Sequence, residues 1–122
     1  MGLDQKFLIV DKEWDLEIEI NMRKLNIIQG YFEKEYDIEN LETINIDIKD
    51  IQFLQDNSVK TLENKDIEVA KELLPIQGGF FYGNYEYNDW YWKDVKKVYD
   101  VTKEMLDIFD KDIHFIQYRC WW

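Results

Sequence analysis

Cysteine, proline, histidine and serine each occur once in this 122-residue chain, at Cys120, Pro75, His114 and Ser58, and glycine only five times. A single cysteine excludes an intrachain disulfide and fits a reducing compartment. One Cys and one His cannot supply the roughly four nitrogen and sulfur ligands of a zinc site. Ser58 follows Asp56 and Asn57 in a turn-like triplet without the glycines of a nucleophile elbow, so a Ser-His-Asp triad is not expected. His114 and Cys120 are six residues apart, roughly 20 Å along a strand, too far to act as a pair. Gly78, Gly79 and Gly83 lack the lysine that follows a phosphate-binding loop. No D-x-D-x-D-G loop is present, and Asp107, Asp110 and Asp112 read as a chance grouping in an acid-rich chain. No catalytic residue, metal or cofactor is therefore expected.

Long apolar runs are also missing. None approaches the roughly 20 residues that cross a bilayer, and the start, MGLDQKFLIVDKEW, lacks a basic segment followed by a long apolar one. Lys6 stands where a myristoylation signal after Gly2 needs Ser or Thr. A cytoplasmic protein without membrane contact is expected. Cations are scarce: 15 Lys and Arg face 26 Asp and Glu, a net charge of -11. Such a surface repels phosphates, which disfavours direct nucleic-acid binding. It serves either solubility or docking on a basic partner.

What the chain has is apolar and aromatic content, 46% and 16%, enough for one globular domain over residues 1–122. Lys6 to Val10 reads as a strand, and Leu16, Ile18 and Ile20 alternate with Glu17 and Glu19 as in a half-buried one. Leu25, Ile28, Phe32 and Tyr36 predict a helix over 22–36 with Asn21 as its cap. Asp47, with Asp50 three residues on, predicts a capped helix carrying Ile48, Ile51 and Leu54 and ending at Asp56-Asn57-Ser58. A third helix is expected over 66–74, with Ile67, Ala70 and Leu73 or Leu74 inward, stopped by Pro75. Phe80 to Tyr82 reads as a strand between glycines. Asn88 can cap a long helix over 89–109 with Tyr91, Val95, Val98, Met105 and Phe109 as its core stripe, interrupted by Thr102. Ile113 to Trp122 reads as a final strand paired with residues 80–82. The expected class is α+β: a small, mainly antiparallel sheet with three to four helices packed on it.

Aromatic residues crowd the last third. Tyr82, Tyr85, Tyr87, Trp90, Tyr91 and Trp92 exceed what one helix start can bury, because consecutive helical residues cannot all face inward. Some of these rings should be exposed, and exposed Tyr and Trp beside Glu86 and Asp89 suit a basic protein surface. Tyr85, Glu86, Tyr87, Asp89, Trp90 and Trp92 are the candidate partner-binding residues. Arg23 and Lys24, with Tyr82, are an alternative ligand site for an anion, unless the two cations merely pair with neighbouring carboxylates.

Three blocks carry a resemblance. MRKLNIIQGYF, residues 22–32, is similar to W-R-K-H-P-N-L-H-G-Y, with Arg23, Lys24, Gly30 and Tyr31 matching. LPIQGGFFYG, residues 74–83, is similar to L-P-x-x-S-G-F-F-F-G, with Leu74, Pro75, Gly79, Phe80, Phe81 and Gly83 matching. The end, HFIQYRCWW, is similar to V-Y-Y-x-S-W-W at Trp121 and Trp122. Together, in this order and over about residues 20–122, they resemble a widespread family of small tailed-bacteriophage proteins without an assigned activity. The family's leading tryptophan is Met22 here, and its two histidines fall at Leu25 and Gln29, so whatever chemistry those histidines perform is absent. The resemblance implies phage or prophage origin. With the acidity and the surplus aromatics, it leads to the expectation of a non-enzymatic inhibitor of a host defence system, such as a CRISPR effector, binding a basic host protein in the cytoplasm. The alternative is a binder of a small nucleotide signal; a weaker reading is an oligomeric accessory protein.

Overall fold

A computed structural model describes residues 3–39, 41–76 and 86–121. The elements run β1 (Asp4–Asp11), β2 (Glu17–Arg23), α1 (Asn26–Tyr36), β3 (Thr43–Ile46), α2 (Ile48–Asn64), α3 (Ile67–Leu73), α4 (Asp89–Ile108) and β4 (His114–Trp121). The strands form one antiparallel sheet in the order β2-β1-β4-β3. This is the expected α+β class.

Register follows from alternation. Phe7 and Ile9 of β1 stand beside Ile20 and Ile18 of β2 on one side and Tyr118 and Ile116 of β4 on the other. That face carries the core: Phe7, Ile9, Ile20, Met22, Ile116, Tyr118 and Cys120 are all buried in one cluster with residues of the helices. α1 lies against it through Phe32, whose ring stacks on Tyr118 at 4.5 Å and meets Phe7 edge-on at 5.9 Å. α2 and α4 pack on each other. Tyr91, Val95, Val98, Thr102 and Met105 are the buried stripe of α4, as its 3.6-residue period dictates.

Two caps follow from local sequence. Asp47 and Asp50 form a reciprocal capping box at α2, and Asn88 Oδ1 accepts from the backbone N–H of Trp90 at 3.0 Å and of Tyr91 at 3.4 Å.

Three expectations need correction. The helix predicted from Met22 begins at Asn26, and Asn21 is a strand residue rather than its cap. Period-two burial continues through Met22, and Lys24, at φ 55°, makes the sharp turn. Leu25 at the cap position has no side-chain bond to give. Gln5 of β1 clamps it instead: Oε1 accepts from Leu25 N–H at 2.9 Å and Nε2 donates to Leu25 C=O at 3.0 Å.

Second, Asp56-Asn57-Ser58 does not end α2, which runs to Asn64. Asn57 and Ser58 are buried and satisfied inside the helix: Asn57 Nδ2 donates to the Leu73 carbonyl at 3.1 Å and Ser58 Oγ to the Gln55 carbonyl at 2.7 Å. Third, Ile67 faces solvent, while Ala70 and Leu74 are buried as expected. Among the described residues β4 has β1 and β3 as its neighbours; its expected pairing with residues 80–82 falls outside them. The strand expected at 80–82 lies outside the described residues, as do Tyr82, Tyr85 and Trp122.

Candidate functional site

The first turn of α4 sorts its aromatics by helical angle. Tyr91 is fully buried, Trp92 half-buried and Trp90 65% exposed. Glu86 and Asp89 are exposed beside Trp90, and Lys93 lies over its ring at 4.6 Å. Tyr87 is half-buried, with its ring 4.8 Å from that of Tyr91 and Lys71 on it at 5.8 Å. Of the candidate partner-binding residues that are described, Glu86, Asp89 and Trp90 thus form an outward surface, whereas Tyr87 and Trp92 give part of theirs to packing.

The two tyrosines have a task the sequence did not disclose. Tyr91 Oη donates to the Leu74 carbonyl at 2.8 Å, and Tyr87 Oη accepts from the Ile76 N–H at 3.1 Å. They hang the segment after α3 on the start of α4. Burial raises the Tyr91 phenol above its ordinary range, helped by the neighbouring Tyr87.

That segment is one wall of an open groove of about 450 Å³ between α1, α2 and residues 72–76. Tyr31 and Phe53 stack in it, ring centroids 5.4 Å apart and 28° between planes. Glu33, Glu35 and Glu72 line it with Lys34. Tyr31 Oη donates to Asp50 Oδ1 at 2.6 Å, and Tyr36 Oη donates to the other oxygen, which also accepts the Asp47 N–H of the capping box. Burial first, then this bond to a carboxylate, raises both phenols, Tyr36 to about 12. Gly30 and Tyr31 from the first sequence block and Leu74 and Pro75 from the second meet here. Nothing in composition or periodicity pointed to a groove. The two blocks were the only signal, and they lie on different elements that tertiary packing brings together.

Arg23 and Lys24 sit at the end of β2, both exposed, and neither lines the groove. Arg23 Nε pairs with Asp4 at 3.6 Å. Ser58 is buried within α2. His114 Nδ1 accepts the Asp110 N–H at 3.0 Å, closing the turn between α4 and β4. Cys120 is buried, and that burial pushes its thiol up to about 11. Gln29 belongs to a buried chain in which Gln5 Nε2 donates to Tyr118 Oη at 2.8 Å and Tyr118 Oη donates to Gln29 Oε1 at 2.6 Å. Gln29 Nε2 has no hydrogen-bond partner among the described residues. Among those residues, no three His, Cys, Asp or Glu side chains converge on a metal position, and no helix is long and apolar enough to cross a membrane.

No family model matches this chain, and no match is found among the curated proteins or the solved structures.

Proposed function

We propose that this is a non-enzymatic protein-binding module, a phage or prophage accessory protein that blocks a host defence effector by docking on a basic face of it. A nucleic-acid-binding nuclease such as a CRISPR effector has the required surface. The observation that carries the reading is Trp90: a large amphipathic ring, 65% exposed in the first turn of α4, just after exposed Glu86 and Asp89. Rings so placed are frequent anchors of protein interfaces, where they add area at little entropic cost. The net charge of -11 would steer such a protein to a cationic partner and away from nucleic acid. The resemblance of the sequence blocks to tailed-phage proteins supplies the biological setting.

The test is affinity capture from host lysate, repeated with Trp90→Ala and Asp89→Lys. The wild type should retain a basic protein at low salt and release it at about 0.5 M, where screening reaches only a few ångströms. Each variant should weaken retention tenfold or more, a usual loss for an interface anchor. Equal retention by the wild type and both variants would remove the surface from consideration.

A further inference from the structure

Among the described residues β2 hydrogen-bonds to β1 alone, so its other edge is unpaired. The pairing parity says which groups that edge offers. Lys24 N–H donates to Leu3 C=O at 2.7 Å and Asp11 N–H to Leu16 C=O at 2.8 Å. In an antiparallel ladder, bonded and non-bonded residues alternate. The even residues of β2 therefore turn their backbone groups towards β1. Glu17, Glu19, Asn21 and Arg23 turn theirs outward.

Edges of this kind are usually protected by charge against pairing with other chains. Here the charges are divided along the strand: Glu17 and Glu19 at its start, Arg23 and Lys24 at its end. Beside them the apolar side of the same edge is unusually bare. Trp14 is 70% exposed, Leu16 68% and Ile18 42%.

We infer that this edge pairs with the same edge of a second copy, antiparallel, about a two-fold axis at Ile20. That register uses all of β2. It sets Glu17 opposite Arg23 of the second copy and Glu19 opposite Asn21, each in a bonded position, so the outward N–H and C=O groups are satisfied from end to end. Ile20 meets Ile20, and Ile18 meets Met22, continuing the apolar row across the junction. Leu16 lies against the methylene stem of Lys24. A register two residues shorter, with its axis at Glu19, would set Glu19 opposite Glu19, and like charges directly opposed destabilise a sheet. The arrangement is isologous, as most homodimers are, and it makes one eight-stranded sheet of two four-stranded ones.

The experiment is sedimentation equilibrium of the full chain from micromolar to about 1 mM, with five proteins. The wild type should dimerise. Asn21→Pro removes an outward N–H that no bond among the described residues uses, and should leave a monomer with unchanged circular dichroism. Glu17→Arg and Arg23→Glu should each raise the dimer dissociation constant about tenfold, since two cross-strand pairs become like-charged. The double swap should return it to near the wild-type value. A wild type that stays monomeric throughout overturns the inference. So does a dimer that survives Asn21→Pro, or one that the double swap does not restore. Should Asn21→Pro fail to fold, the charge-swap cycle decides alone, because those side chains are exposed.

Discussion

Gln5 shows how far a single residue can act from its place in the chain. Its amide is a surrogate backbone: it pairs with both polar groups of Leu25, 20 residues away, and with Tyr118, 113 residues away. No hydropathy pattern announces such a role, since a glutamine in an apolar strand reads as a break in the pattern. Asp47 and Asn88 are the opposite case. Their partners lie within three residues, so a cap is a local fact and legible in the sequence. Replacing Gln5 by Leu would leave the Leu25 amide unpaired in the core, take one donor from the Leu25 carbonyl, which keeps the N–H groups of Ile28 and Gln29, and remove the donor to Tyr118. Unsatisfied buried groups of this kind predict a loss of about 3 kcal/mol in urea unfolding. A loss under about 1 kcal/mol would mean that water or a shifted backbone takes over the bonds.

At the scale of elements, the strands and helices were legible where an apolar run or a period decides, as in β1 for the one and β2 and the stripe of α4 for the other. The end of α2 was not. Asp56-Asn57-Ser58 has turn chemistry, yet α4 and α3 cover the helix there, and tertiary packing overrides the local preference. Asn57 uses the position to hold α3: its amide reaches the Leu73 carbonyl, where the short helix ends. Asn57→Ala should therefore cost about 1–2 kcal/mol. It should raise amide exchange over Ile67–Leu73 more than in the sheet. Uniform exchange changes across the molecule would contradict a local tie. The same reasoning explains why the candidate site was only half visible. The excess of rings at the start of α4 was countable, and among the described ones Trp90 is exposed. That Tyr87 and Tyr91 support residues 74–76 depends on contacts between residues 11 and 17 positions apart.

For the whole molecule, proton linkage gives a direct test of the core. Burial raises Cys120 from an ordinary 9.0 to about 11 and Tyr36 from 10.0 to about 12, and it raises Tyr31 and Tyr91 as well. Each group then keeps its proton longer folded than unfolded. Above pH 9 the unfolded chain binds fewer protons than the native one, so stability falls as pH rises. The fall should begin near pH 9, with Cys120, and steepen as the tyrosines of the unfolded chain ionise. Denaturant midpoints measured from about pH 8 to 11 check this; a flat profile would show that these groups are wetter than the fold implies. The sheet register has one more outcome. Asp4 pairs with Trp121, so β1 and β4 run side by side, and a link between these two positions would make a ring of the stretch from 4 to 121. A few linking residues would close it, and the order in which the elements follow one another would then become a matter of where the ring is cut. The turn at residues 12–16, which joins neighbouring strands at the opposite end of the sheet, is the natural place for the cut. A circular permutant opened there should fold to the same sheet.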